Sequence, residues 1–250
     1  MRGVLLEDLT WAEAESRFQD NWPVLIPVGA FAKEHGLHLP LRTDSAIARH
    51  LARSIAEELP VVIAPVVGFG FYPAFVDYPG SQHLSAETFI ALVSEILIGF
   101  AEQGARRMAV LNTGYSTEAP LRIAVREVLD RTGIRVAIAD LRLLGAHSRS
   151  KLRQRGGGHA DEHETSLMLA IDPTCVRLER AVSSQEISGP DTRPWALPGL
   201  LSRDPEHPDY SPTGATGEPA LATVELGREI LREITAELLA GFRRLYPDLA

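Results

Sequence analysis

The chain has 250 residues, 45% of them hydrophobic, and a formal net charge of −8 at pH 7. This length suits one α/β domain, and a chain of this size can bury about 70% of its surface on folding. We therefore expect a single domain spanning residues 1–250. The acidic balance leaves no basic stripe for a phosphate backbone, which argues against a nucleic-acid partner.

Cysteine content and apolar runs narrow the class of protein further. Cys175 is the only cysteine, which excludes an internal disulfide and a cysteine-rich zinc site. The longest apolar stretch, from Phe89 to Phe100, is interrupted by polar residues and is shorter than the roughly 20 residues that cross a bilayer. The amino-terminal residues do not follow the pattern of a signal peptide. We expect a cytoplasmic protein with no membrane partner.

Short runs rich in valine and isoleucine alternate with helical patterns. The runs predict strands buried on both faces, because strands with one face in solvent would alternate apolar and polar residues. In chain order the predicted elements are strand 23–28, helix 44–59, strand 61–67, helix 85–103, strand 108–111, helix 118–131 and strand 134–139. This alternation predicts an α/β fold with a parallel sheet and helices on both faces.

The alternating pattern ends after Asp172-Pro173. The segment of about 188–219 is rich in proline, which excludes a regular helix or a central strand. Its apolar residues, such as Trp195, predict that it packs on the body of the domain or on a neighbouring subunit. Long loops in compact domains are often functional. A final helix is predicted over 220–245.

The first predicted strand is followed by a dense polar cluster, Lys33-Glu34-His35-Gly36-Leu37-His38, and then by Asp44. In an open α/β sheet, ligands bind in the crevice beyond the carboxyl ends of the strands. Imidazoles and carboxylates are ligands that suit zinc, manganese or iron. An alternative is that Asp44 caps the next helix and the histidines bond to loop carbonyls. Spacing alone leaves both interpretations open.

A second polar cluster, His159 to Ser166, follows the three glycines 156–158. We predict that His159 and Glu164 meet the first cluster across the cleft, as an acid–base group and the group that orients it. The alternative is that Asp161, Glu162 and Glu164 are simply favourable acids in the first turn of a helix.

Together the two clusters resemble the signature of the creatininase (creatinine amidohydrolase) family. The resemblance spans nearly the whole chain in the family's order. The matching segments are Pro27-Val28-Gly29, His35-Gly36-Leu37-His38-Leu39-Pro40, Thr43-Asp44 and His159-Ala160-Asp161-Glu162-His163-Glu164-Thr165-Ser166.

The resemblance implies a three-layer α/β/α sandwich with a mostly parallel central sheet, assembled as a homo-oligomer, either a trimer or a hexamer. It implies a metal-dependent hydrolase that cleaves a C–N bond in a small polar substrate, such as a cyclic amide or a formamide. By resemblance, Glu34, His35 and Asp44 would bind a divalent zinc, manganese or iron ion. His159, oriented by Glu164, would transfer a proton.

Two departures from the family pattern affect the metal ligands. Aligned back from His35, the position of the family's ligand glutamate holds Lys33, and Glu34 falls where a glutamine is usual. The family's histidine after the third strand is absent from residues 112–118. We therefore expect one metal ion per chain, with the ammonium of Lys33 supplying part of the charge of a second ion and so taking part in catalysis.

Two other functions stay open at this stage. The same groups could open a lactone or a cyclic ketone instead of an amide. The missing ligands could also mark a non-catalytic relative that only binds a ligand. Retention of both His159 and Glu164 favours an enzyme, because a pure binding protein has no chemical need for an acid–base pair.

Overall fold

The computed structural model describes residues 1–183 and 200–249. Within these residues, five strands form one fully parallel sheet in the order β1-β3-β2-β4-β5. The strands are β1 (Val4–Leu5), β2 (Val24–Val28), β3 (Val62–Ile63), β4 (Met108–Asn112) and β5 (Val136–Asp140).

Helices follow most of the strands, as the sequence pattern predicts. In the described residues they are α1 (Trp11–Gln19), α2 (Thr43–Glu58), α3 (Ala86–Glu102), α4 (Glu118–Thr132), α5 (Ala146–Arg149), α6 (Glu162–Ile171) and α7 (Val224–Leu245). No helix in this part of the chain combines the length and apolar character of a bilayer-spanning segment.

A hydrophobic core lies on each face of the sheet, because successive strand residues point to opposite faces. In β2, Leu25 joins the core built with α2, α6 and α7, while Val24 and Ile26 join the core built with α1, α3 and α4. The molecule is therefore a three-layer α/β/α sandwich, which confirms the predicted fold class.

Two elements near the amino terminus escape the sequence pattern, and one strand is shorter than predicted. Strand β1 has only two residues and so shows no periodicity. Helix α1 begins at a capping box between Thr10 and Glu13. These hydrogen bonds stabilise the start of a helix whose apolar face is weak. The predicted strand 61–67 pairs regularly only at Val62–Ile63, because Pro65 has no N–H to donate.

The carboxyl ends of β2 and β4 form a switch point at the centre of the sheet. The chain leaves β2 towards β3 on one side, and leaves β4 towards β5 on the other side. Crevices at such points are where α/β proteins bind ligands. Gly29 closes the end of β2 tightly against α2, since a Cβ there would lie 2.5 Å from the backbone oxygen of Asp44. This close packing holds Asp44 at the strand end.

The described part of the proline-rich segment packs on the body of the molecule, in agreement with one of the two sequence predictions. The amide of Leu201 donates to the carbonyl of Ala74 at 3.0 Å. The Tyr78 hydroxyl donates to the carbonyl of Ser211 at 2.6 Å. Residues 188–199, including Trp195, lie outside the described residues. The final helix starts later than predicted, at Val224, with Thr223 as its N-cap.

Candidate active site

A cavity of about 1050 Å³ opens beyond the carboxyl ends of β2 and β4. Side chains from the loop after β2, from the start of α2 and from the segment before α6 meet in its wall. Lining residues with titratable side chains include Lys33, Asp44, His159 and Glu164. The two polar clusters of the sequence therefore face the same space.

Lys33, His35 and Asp44 form a buried polar cluster, of which Lys33 and Asp44 line the cavity. The Nζ atom of Lys33 lies 2.7 Å from Oδ2 of Asp44, and Nε2 of His35 lies 3.0 Å from Oδ1 of the same carboxylate. All three side chains are nearly inaccessible to solvent. Burial disfavours both charged forms, yet the ammonium lowers the pKa of Asp44 and the nearby carboxylates raise the pKa of Lys33.

The position of Asp44 excludes one of the two interpretations of this residue. Helix α2 begins at Thr43, and its N-cap residue is Arg42, which makes no side-chain capping bond. Asp44 therefore lies inside the first turn and directs its carboxylate to Lys33 and His35. The alternative that Asp44 serves as the helix cap is wrong, because its side chain bonds to the preceding loop rather than to the helix backbone.

Glu34, in the loop after β2, contacts His159 directly. Nε2 of His159 lies 2.9 Å from Oε2 of Glu34, and the backbone amide of Gly36 donates to the same carboxylate. Gly214 makes this arrangement possible, because its φ is +78° and a Cβ there would lie 2.2 Å from Cδ of Glu34. The carboxylate of Glu34 is thus held against His159.

His159 lies between two carboxylates. Its Nδ1 atom is 3.8 Å from Oε2 of Glu164, while its Nε2 atom bonds to Glu34. Burial disfavours the protonated ring, but the charge and hydrogen bond of Glu34, together with the charge of Glu164, outweigh it, so the pKa of His159 is raised. Oε2 of Glu164 also accepts a 2.6 Å hydrogen bond from the amide of Ala160, which fixes its direction.

The second cluster contains both an acid that caps a helix and an acid that faces the cavity. Asp161 is the N-cap of α6 and accepts from the amide of Glu164, as expected of an acid at a helix start. Glu164 lies in the same first turn, yet its carboxylate faces the cavity and His159. One helix terminus therefore supplies both a cap and a site residue.

An aromatic ring that sequence reasoning missed completes the cluster. The Phe75 ring lies with its centroid 4.3 Å from that of His159, and Nζ of Lys33 is 5.1 Å from its centre. The His35 and His159 rings are themselves 4.8 Å apart. Nothing in the sequence around Phe75 signals this role, because the contact joins loops distant along the chain. Gly214, in contrast, lies in a Gly-Ala-Thr-Gly segment visible in the sequence.

The donor chemistry of the site fits a divalent metal ion. Within the described residues, ligand atoms of His35, His159 and Glu164 all lie within 4.8 Å of one another. Two imidazoles and a carboxylate are the N/O donors that zinc and related metals take. Asp44 and Glu34 add two further carboxylates that contact His35 and His159 directly.

Two other polar groups of the region are structural. His38 is buried and its Nε2 atom lies 2.9 Å from Oγ1 of Thr165, which ties the first loop to α6. Burial lowers the pKa of His38 to about 4. In the loop after β4, the side chain of Asn112 bonds to Gly114 and Thr117. The Asn112 side chain thus closes the loop in which the resemblance led us to expect a histidine.

Comparisons with known proteins agree with this architecture. A family model described as creatinine amidohydrolase matches residues 7–241. The mycofactocin precursor peptide peptidase of Mycobacterium ulcerans is 30% identical over 93% of this chain and 89% of its own length. The 3-dehydro-scyllo-inosose hydrolase of Thermotoga maritima is 26% identical over 91% of this chain and 78% of its own length. The creatinine amidohydrolase of Pseudomonas putida is 26% identical over 80% and 87%, respectively.

Solved structures of creatininases share the fold. A creatininase crystal structure superposes with a TM-score of 0.86 at 23% identity and covers 99% of both chains. A manganese form gives 0.83 at 24% identity and covers 98% of this chain and 99% of its own. A mutant of the Zn-Zn type gives 0.86 at 24% identity over 99% and 100%. With its family match over nearly the whole length and its metal-compatible site, the chain belongs to the creatininase (creatinine amidohydrolase) family of metal-dependent hydrolases.

Proposed function

We propose that this protein hydrolyses an amide-type C–N bond in a small polar substrate, such as a cyclic amide or a formamide. The observation that carries the proposal is the convergence of Lys33, Asp44, His159 and Glu164 on one cavity. His35 and Glu34 lie directly behind them, in contact with Asp44 and His159, respectively. The names of two relatives, an amidohydrolase and a peptide peptidase, denote cleavage of C–N bonds, which supports the same reaction class.

The residues that would hold the metal are Glu34, His35 and Asp44. In such a site a divalent zinc, manganese or iron ion supplies polarisation of a carbonyl oxygen and a lowered pKa of water. Nε2 of His35 and Oδ1 of Asp44 lie 3.0 Å apart and are the atoms of these two residues that would bind the ion. The carbonyl of Lys33, 2.9 Å from Nδ1 of His35, fixes the other side of the ring.

His159 is the proton donor in this proposal. Each of its ring nitrogens faces a carboxylate, Glu34 on one side and Glu164 on the other. A histidine held in this way can give a proton to the leaving nitrogen, while Glu164 fixes the orientation of the ring. The balanced reaction is amide plus water to carboxylic acid plus amine. Phe75 excludes water from one face of the ring.

A rival set of metal ligands shares His35 with the first. It consists of His35, His159 and Glu164, whose donor atoms lie close together. In that arrangement His159 would bind metal rather than transfer a proton. The two assignments predict different results when His159 is replaced. The ion stays bound if His159 transfers a proton, and it is lost if His159 is a ligand.

Lys33 supplies the positive charge of a second metal ion in our proposal. Its ammonium is buried against Asp44, at 2.7 Å, and the loop after β4 offers no imidazole. We expect one metal ion per chain after purification with excess zinc or manganese, measured by elemental analysis. Lys33→Ala should weaken turnover while one ion remains. Two well-occupied ions in the unaltered protein would contradict this role.

A second candidate function is the opening of a cyclic ketone or a lactone at the same site. The likeness to the 3-dehydro-scyllo-inosose hydrolase of Thermotoga maritima favours it specifically. The metal and His159 would act in the same way, but a C–C or C–O bond would break. A non-catalytic binding relative is the third possibility.

A substrate panel separates these functions. The zinc- or manganese-loaded protein is incubated with cyclic amides, formamides, short peptides, lactones and cyclic polyol ketones, and products are identified by mass spectrometry. Amine release from an amide supports the proposal. Ring opening restricted to ketones or lactones replaces it with the second candidate, and metal-loaded protein without turnover on any class supports the binding relative.

We also propose a cytoplasmic homo-oligomer. The free thiol of Cys175 suits a reducing compartment. Sedimentation equilibrium should give the mass of a trimer or a hexamer, and a monomer at micromolar concentration would contradict the assembly.

A further inference from the structure

Four cationic side chains at the end of α5 and in the loop that follows it divide into two pairs. Lys151 pairs with Glu229, and Arg153 pairs with Glu162, so both charges are neutralised away from the cavity. Arg149 and Arg155 instead line the cavity. Among residues 1–183 and 200–249, no carboxylate lies within ion-pair distance of either guanidinium. Two cations of the same loop thus face the substrate space without an acidic partner in the described chain.

The loop that carries Arg155 is fixed by the preceding residue. The Gln154 side chain donates to Asp161 at 2.6 Å and accepts from the amides of Glu162 and Glu218. Gly217 leaves room for it, since a Cβ there would lie 2.7 Å from Oε1 of Gln154. The backbone at Arg155 is therefore positioned by a network that also holds the start of α6.

Arg149 is positioned by the carbonyl of Arg142. One of its terminal N–H groups donates to that oxygen, and within residues 1–183 and 200–249 the rest of the guanidinium fork has no acceptor. Arg142 also lines the cavity but is already neutralised, because it makes a bidentate pair with Asp140 and lies over the Tyr115 ring. Among the described arginines that line the cavity, Arg149 and Arg155 are thus the ones whose charge is available to a ligand.

The size of the cavity leaves space beyond the site of bond cleavage. At about 1050 Å³ it is slightly larger than the range for small-molecule pockets, roughly 300–1,000 Å³. A single five-membered ring would occupy only a small part of this volume. Guanidinium groups bind carboxylates in preference to neutral groups, because their planar N–H fork matches two carboxylate oxygens.

We propose that Arg149 and Arg155 form a carboxylate-binding subsite, so that the substrate is an amide that carries a separate free carboxylate. This inference rests on the proposed function. The carboxylate would bind at the loop 149–155 while the scissile carbonyl lies at His35 and Asp44. Hydrolysis then consumes one water, breaks the C–N bond, and yields one new carboxylate and one amine, while the recognised carboxylate takes no part in bond cleavage.

The test compares two matched probes, hippurate and its neutral amide hippuramide. Dissociation constants are measured by calorimetry with the zinc-loaded protein and with Arg155→Gln and Arg149→Gln/Arg155→Gln variants. Lys151→Gln is the control, because it removes one charge from the same loop but from a side chain paired with Glu229. Circular dichroism and metal content confirm that each variant is folded and loaded.

We expect the unaltered protein to bind hippurate at least about tenfold more tightly than hippuramide, in keeping with a charge-assisted hydrogen bond. The preference should fall to less than about threefold in the double variant and stay unchanged in Lys151→Gln. A preference that survives the double substitution would place the carboxylate on the metal and overturn the proposal, as would absence of hippurate binding. Samples recovered from the calorimeter are checked by mass spectrometry for intact hippurate. Because the readout is a dissociation constant, a failure of the proposed hydrolysis would leave the comparison intact.

Discussion

Asp44 is the residue on which the buried charges of the site depend. It accepts from Lys33 at 2.7 Å and lies 3.0 Å from His35, and all three side chains are buried. Replacing it with asparagine keeps the shape but removes the negative charge. We expect Asp44→Asn to lose most of its bound metal, measured by elemental analysis after gel filtration.

The same substitution leaves Lys33 buried without its carboxylate, so the thermal midpoint should also fall, because an unpaired buried charge is costly. The double variant Lys33→Met/Asp44→Asn removes both charges and should recover most of the lost stability without recovering metal. Normal metal content in folded Asp44→Asn would show that Asp44 is not a ligand.

His159 differs from the proposed metal ligands in the expected effect of its loss, which should leave the metal bound. We expect His159→Ala to keep its metal but to lower turnover by roughly 10²–10⁴, the range for a lost general acid or base. Elemental analysis and kinetics on the same preparation check this. Metal loss in proportion to activity would instead support the rival ligand set of His35, His159 and Glu164.

At the scale of elements, the packing of α7 on α6 depends on one glycine. A Cβ at Gly227 would lie 1.9 Å from the backbone oxygen of Ser166, and backbone atoms cannot move aside cheaply. We expect Gly227→Ala to destabilise the protein by about 1–3 kcal/mol through overpacking, measured by urea denaturation.

Gly241 is the matched control for this prediction, because it lies in the same helix. The nearest atom that a Cβ at Gly241 would meet is the flexible end of Arg244, at 3.8 Å. Gly241→Ala should therefore be neutral or stabilise α7 by up to about 1 kcal/mol, as alanine favours the helix. Equal effects of the two substitutions would rule out close backbone packing as the cause.

At the scale of the whole molecule, bound metal should stabilise the folded chain against unfolding. A metal that binds only the folded chain stabilises it by about 2.7 kcal/mol at a concentration 100 times its dissociation constant. For a chain of this size that corresponds to a rise in Tm of about 5–10 °C. We expect zinc or manganese to raise Tm by this amount and chelation to reverse it, followed by differential scanning calorimetry. Asp44→Asn should show no such shift.

The sequence alone determined the architecture and the location of the site. Strands rich in valine and isoleucine, alternating with amphipathic helices, have few ways to bury their apolar faces other than a parallel sheet covered on both sides. The clusters around His35 and His159 follow from local motifs, and both line the observed cavity or its wall. The two-residue strand β1 was not predictable, because it is too short to show a period.

Tertiary structure decided which side chains meet. The sequence does not reveal that Phe75 covers His159, that Gly214 turns Glu34 inwards, or that Lys33 is neutralised by Asp44. Nor does it separate Arg149 and Arg155, which face the cavity, from Lys151 and Arg153, which face acidic partners. These contacts join residues far apart in the chain or depend on the direction of each side chain, and only the packing of helices on the sheet fixes such directions.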